Sequence, residues 1–156
     1  MTTIGIYANP GKPEALRAVE RSVTLLRSLG ATCMAHEDIV RGLHSEAATG
    51  VMAGSIADIK KNSDVVVSFG GDGTMLHCAH HLVGTDIPMM GVNIGRLGFL
   101  AEFSVVELDE SLHNLVSGNY RVVDRSAMCT TLETNGVSET YHVLNEFVLE
   151  KHGSPR

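Results

Sequence analysis

Tryptophan is absent from the 156-residue chain, and aromatic residues of all kinds make up only 4%. A core must therefore be built from Val, Leu, Ile, Ala and Met. Basic clusters are missing as well. Twelve Lys and Arg stand against eighteen Asp and Glu, for a net charge of −6. That excludes the basic face which duplex nucleic acid demands, so no nucleic-acid partner is expected. No apolar run approaches the roughly 20 residues that cross a bilayer, so no membrane partner is expected either. The first residues, Met1-Thr2-Thr3-Ile4-Gly5-Ile6-Tyr7, lack the basic start and long apolar stretch of a secretory leader and read as a strand. Cysteine is sparse: Cys33, Cys78 and Cys129 are odd in number and widely spaced. They form neither a CxxC nor a zinc-type pattern, which predicts reduced thiols in a cytoplasmic protein.

What is present fits a globular chain. Apolar residues make up 44% and charged residues 19%, which rules out disorder. The length allows one domain, or one domain and part of another. Strands and helices alternate along the first two-thirds. Ile4 to Ala8 is a short apolar strand that stops at Asn9-Pro10-Gly11. Pro13 suits a first helical turn, where its missing N–H is not needed. Leu16, Val19, Val23 and Leu26 then recur at helical spacing, with Gly30 as the stop. Ala31 to Met34 is a second strand. Leu43, Ala47, Val51, Ile56 and Ile59 suggest helical pieces with Gly50 and Gly54 inside. Asp64 to Phe69 is a β-branched run of the kind buried on both faces of a parallel sheet. Thr74 to Val83 reads as a helix, Pro88 to Val92 as a strand, and Asn93 to Leu100 as a Gly-containing loop. Ser104 and Glu107 have capping-box spacing ahead of a helix carrying Leu108, Leu112 and Leu115, which Gly118 ends.

This order predicts an α/β fold: a doubly wound, Rossmann-like parallel sheet over residues 1–120. From residue 121 the pattern is β-rich. Tyr120 to Leu132 and Tyr141 to Glu150 read as strands around Asn135-Gly136, a hairpin signal. About 35 residues of strand bury no face by themselves. Residues 121–156 are therefore expected to be the opening strands of a second, all-β domain that is incomplete at Arg156.

Chemistry concentrates in Phe69-Gly70-Gly71-Asp72-Gly73-Thr74, between a buried strand and a helix start. In a parallel sheet that junction lies at the carboxyl edge, where ligands bind. Glycines let backbone approach a ligand with no Cβ in the way. The helix start offers N–H groups and a favourable dipole to phosphate oxygens, and Thr74 is read as a helix N-cap or a phosphate ligand. No Lys follows the last Gly, so this is not a Walker A loop. Leu76 stands where a dinucleotide fingerprint needs its third Gly. Asp72 is unusual, because a carboxylate repels phosphate. Its two readings are acceptance of a proton from an attacking hydroxyl and retention of Mg²⁺ directly or through water. His77 and His81 lie four apart on the following helix but lack the motif or Cys pair of a zinc site, and are read as packed or solvated.

The Gly-Gly-Asp-Gly-Thr segment resembles the signature shared by NAD kinases, diacylglycerol and sphingosine kinases and, more distantly, 6-phosphofructokinases. Two further segments choose among these. Asn93-Ile94-Gly95-Arg96-Leu97-Gly98-Phe99-Leu100 is similar to the N-x-G-x-L-G-F-L segment of NAD kinases, and Asn145-Glu146 resembles their Asn-Glu motif. Asn9-Pro10 resembles the end of the family's first strand.

The resemblance implies transfer of the γ-phosphoryl of ATP, or of polyphosphate in some members, to the 2′-hydroxyl of the adenosine ribose of NAD, giving NADP. It implies Mg²⁺ accompanying ATP, and NAD and ATP as the small-molecule partners. Asp72 then matches the catalytic aspartate. Gly70, Gly71, Gly73 and Thr74 match the phosphate loop. Asn93, Phe99, Asn145 and Glu146 match dinucleotide-binding positions, and a homodimer or tetramer is implied. Family members continue into a β domain with a further Gly/Thr-rich motif that this sequence lacks. The rival readings are a diacylglycerol-type lipid kinase and a non-catalytic nucleotide-binding module.

Overall fold

The computed structural model describes residues 2–95, 98–144 and 146–148. The chain divides into two compact units, Met1–Val122 and Val123–Arg156.

Six strands form the sheet of the first unit: β1 (Thr3–Ala8), β2 (Thr32–His36), β3 (Val51–Gly54), β4 (Val65–Gly70), β5 (Met89–Asn93) and β6 (Phe103–Ser104). All five neighbouring pairs are parallel, in the order β3-β2-β1-β4-β5-β6. This is the doubly wound Rossmann order, whose reversal point lies between β1 and β4.

Alternation along the strands divides the core. In β4, Val65, Val67 and Phe69 join the larger cluster, which is covered by α1 (Pro13–Ser28) through Val19, Val23 and Leu26 and by α6 (Leu108–Ser117) through Leu108, Leu112 and Leu115. The short helices α2 (Glu37–Gly42) and α3 (Ser45–Ala48) add Ile39 and Ala47 to that cluster. Val66 faces the other layer, where α4 (Ile56–Asn62) contributes Ile59 and α5 (Asp72–Leu82) contributes Cys78 and Leu82. Opposite Cβ directions at successive strand residues produce this division.

The helix stops fall where their residues require. Gly30, at φ 81°, ends α1 in a Schellman motif: its N–H donates to the Arg27 carbonyl, and that of Ala31 to the Leu26 carbonyl. Gly118, at φ 74°, ends α6 in the same left-handed region.

Two local readings change. Val51 belongs to a strand, not to a helical piece. β3 is only four residues long and is pinned by pairing with β2 from Cys33↔Val51 to His36↔Gly54, which the Leu43/Ala47/Val51 spacing conceals. Ile56 and Ile59 do lie in a helix, α4, capped by Ser55, whose hydroxyl and Asp58 form a reciprocal capping box. At Ser104–Glu107 the box is one-sided. β6 takes up Ser104 by pairing it with Asn93. The Ser104 N–H and hydroxyl both donate to Glu107 Oε2, at 3.1 and 2.6 Å, while Glu107 occupies the N-cap without a side-chain cap bond.

The second unit contains an antiparallel hairpin of β7 (Met128–Thr134) and β8 (Val137–Val143). Asn135 and Gly136 both have positive φ, 50° and 78°, as a two-residue type I′ turn requires. Pairing puts Met128, Leu132, Val137, Tyr141 and Val143 on one face, and Cys129, Thr131, Glu133, Ser138, Thr140 and His142 on the other. The second strand stops at Val143, short of Glu146.

Candidate functional site

β4 is buried along its whole length and ends at Gly70. Its last residue pairs with Asn93, the last residue of β5, and the Ile94 N–H donates to the Gly70 carbonyl at 3.2 Å. Asn93 is buried, and its Oδ1 accepts the Gly95 N–H at 2.9 Å, turning the chain into the following loop. Strand pairing thus places the ends of the two segments singled out in the sequence next to one another.

Helix α5 begins two residues earlier than Thr74. Gly71 is its N-cap, extended at φ −105° and ψ −168°, and offers no side-chain cap. Thr74 is therefore the third helical residue, not the N-cap, and its N–H donates to the Gly71 carbonyl at 2.9 Å. The leading amides of a helix have no acceptor within it, and here they sit at the carboxyl edge of the sheet, beside its reversal point.

The three glycines at this junction differ in kind. A Cβ on Gly70 would fall 2.2 Å from Thr74 Oγ1, so the fold itself excludes a side chain there. Among the described residues, a Cβ on Gly71 or Gly73 would meet nothing within 4 Å. Neither of these two has a positive φ. Among the described residues, packing thus leaves room for a Cβ at both positions, with clear space before them at a helix N-terminus.

Asp72, the first residue of α5, does not point away from the protein. Its Oδ2 accepts the Phe99 N–H at 2.9 Å, and its Oδ1 accepts the Leu100 N–H at 3.0 Å. The Phe99 amide above all, and then that of Leu100, hold the carboxyl below its ordinary range. Asp72 is thus ionised at neutral pH. The same bonds fasten the loop after β5, leaving the Phe99 ring 96% exposed at its crest.

The first unit accordingly brings together Gly70, Gly71, Asp72, Gly73, Thr74, Asn93 and Phe99. Glu146 belongs to the second unit, exposed and outside any strand. Asn145 and Arg96 lie outside the described residues. Gly98 and the Leu100 amide were not legible in the sequence, because nothing local marks a glycine as the neighbour of a carboxylate 26 residues earlier. Among the described residues no three His, Cys, Asp or Glu side chains gather as a metal site. A separate open groove of about 710 Å³ runs over α1, lined by Arg17, Glu20, Arg21, His44 and Asp109 among others. Its charges largely satisfy one another, with Arg21–Asp109 at 2.8 Å and His44–Glu20 at 2.6 Å.

The family model of the ATP-NAD kinase N-terminal domain matches residues 4–120. The chain belongs to the NAD kinase family. An NAD kinase of Chlorobium phaeobacteroides is 39% identical over 141 residues, covering 88% of this chain and 48% of that protein. One of Geobacter sp. (strain M21) is 33% identical, covering 97% of this chain and 52% of that protein. One of Heliobacterium modesticaldum is 32% identical, covering 100% and 54%. The chain thus spans about half the length of the curated NAD kinases it matches. Yeast NADH kinase, solved in complex with NADH, shares the fold at a TM-score of 0.80 and 22% identity, over 93% of this chain and 47% of that one. Among the described residues no helix is long and apolar enough to cross a membrane.

Proposed function

We propose that this chain is the phosphate-handling half of an NAD kinase, which transfers the γ-phosphoryl of ATP to the 2′-hydroxyl of the adenosine ribose of NAD to give NADP. The observation that carries the reading is the clear space before Gly71 and Gly73, at the start of α5 and beside Asp72. Phosphate oxygens in that space would accept the leading amides of α5 and meet the positive end of its dipole. Any side chain at 71 or 73 would occupy the same volume.

Asp72 faces the acceptor hydroxyl in this reading. A carboxylate oxygen has capacity beyond one amide N–H, so the bonds from Phe99 and Leu100 leave room to receive a proton. A lowered pKa makes Asp72 a weak base. That suits a loose phosphoryl-transfer transition state, in which the hydroxyl proton leaves late and positioning supplies most of the rate. Mg²⁺ would arrive with ATP, held by phosphate oxygens and water, as this ion commonly is. Gly70, Gly73 and Thr74 shape the phosphate end. Asn93, Phe99, Asn145 and Glu146 are assigned to the dinucleotide, with Phe99 as an exposed aromatic surface. A homo-oligomer and a cytoplasmic setting complete the proposal; the unpaired thiols Cys33, Cys78 and Cys129 support the latter.

The rival reading is a nucleotide-binding module without turnover. The test is NADP formation from NAD and Mg-ATP, run on this chain and on one of full family length, with diacylglycerol as a control acceptor. Turnover in the longer chain alone supports the reading. Binding without turnover in both supports the module. Phosphorylation of diacylglycerol in place of NAD overturns the dinucleotide assignment.

A further inference from the structure

Gly98 lies in the loop after β5, next to the two amides that hold Asp72. Its surroundings account for a glycine there. A Cβ at position 98 would stand 2.1 Å from Asp72 Oδ1, 2.6 Å from Cγ and 2.8 Å from Oδ2. All three atoms belong to the carboxyl group, and every separation is far inside van der Waals contact. The carboxylate rests flat against the space that a side chain at 98 would fill.

An aspartate side chain is short but can rotate. An alanine at 98 would therefore not have to break the fold, because the carboxylate can swing away. It would then leave the Phe99 and Leu100 amides, now 2.9 and 3.0 Å from its oxygens. We propose that Gly98 is the positioning residue for Asp72: its missing side chain is what allows the carboxylate to dock on the loop amides and so to be aimed. The Gly-Gly-Asp-Gly-Thr segment and the segment from Asn93 to Leu100 then form one device, in which the second holds the working group of the first. The catalytic meaning of this rests on the NAD kinase reading; the contact itself does not.

The test is amide hydrogen exchange and proton NMR on the chain, unliganded. In Gly98→Ala, the Phe99 and Leu100 amides lose the downfield shift of a carboxylate-bound proton. Their exchange rises by about tenfold or more, as the loss of one charge-assisted hydrogen bond implies. Gly95→Ala, in the same loop with no described residue within 4 Å of its added Cβ, leaves both amides unchanged. In an Asp72→Ala background the two amides already exchange quickly, and adding Gly98→Ala changes them no further. The proposal is overturned if Gly98→Ala leaves the amides protected, if it speeds exchange equally in both backgrounds, or if it unfolds the first unit. None of these readouts needs substrate, so a chain that makes no NADP can still pass, and one that makes NADP can still fail.

Discussion

Gly70 sits so close beneath Thr74 that a single added methyl group would meet the threonine hydroxyl oxygen at 2.2 Å. The last residue of β4 and the first turn of α5 are thereby packed as one body. Gly70→Ala should push that turn off the sheet. The expected cost is about 1–3 kcal/mol, typical of overpacking, read as a lower midpoint in thermal or urea unfolding of the chain. An unchanged midpoint would show that the turn yields freely.

Gly71→Ala and Gly73→Ala should overpack nothing. No described residue stands within 4 Å of either added Cβ. Gly73 lies inside α5, where alanine is the better residue by about 0.5–1 kcal/mol. Stability should hold or rise in Gly73→Ala and fall by up to about 1 kcal/mol in Gly71→Ala, because alanine is a poorer N-cap than glycine, while binding of Mg-ATP, followed by calorimetry, should weaken in both. Full binding in both variants would remove the phosphates from this space.

Asp72→Asn should lower NADP formation by at least about 10²-fold in a chain of full family length, the range of a lost general base. The structure adds a second effect. An asparagine has one acceptor oxygen, so its amide group must face at least one of the Phe99 and Leu100 N–H donors. Faster exchange at one of those amides should accompany the lost turnover. Wild-type rates would dismiss Asp72 as the catalytic carboxylate.

Acid should destabilise the first unit in a defined order. Asp72, Asp58 and Glu107 all have carboxyls held low, by Phe99 for the first, by Ser55 for the second and by Ser104 for the third. His81 is also held low, by burial first and then by His80, His77 and Lys60. A group whose folded pKa is depressed gives stability that is whole above its ordinary value and lost as pH falls through the folded one. Stability measured by urea unfolding should therefore be greatest above about pH 6.5, His81's ordinary value. It should slip below that, and fall again below the ordinary carboxyl range near pH 4. A flat profile from pH 7 to pH 3 would contradict these contacts.

The hairpin of the second unit should not hold together alone. Met128, Leu132, Val137 and Tyr141 share one of its faces and are all exposed, and an isolated two-stranded hairpin is marginal in water. A peptide of residues 123–148 should show no cross-strand contacts by NMR. A folded peptide would mean that the Asn135-Gly136 turn suffices.

The parts of the site that follow the chain were legible in the sequence. The run from Val65 to Phe69 announced a strand buried on both faces, while the loop suggested by the three glycines after it shrinks to Gly71, because Gly70 closes β4 and Gly73 lies inside α5. Gly30 and Gly118 announced their helix stops. What stayed hidden depends on distant partners. β3 has four residues, and only its ladder with β2 makes it a strand. β6 has two, and its pairing removes Ser104 from the cap its spacing suggested. The docking of Asp72 on the 98–101 loop joins residues more than 25 positions apart, and no local pattern reports it.

The thiols differ sharply in reach. Burial pushes Cys33 up to about 11 and Cys78 up to about 12, while Cys129 is exposed on the polar face of the hairpin. Only a thiolate attacks an electrophile at a useful rate. A maleimide dye added at neutral pH to the folded chain therefore marks one atom, Cys129 Sγ, without prior mutagenesis. The wild-type sequence carries its own attachment point for a fluorescent reporter on the second unit, and the first unit stays unlabelled until it unfolds.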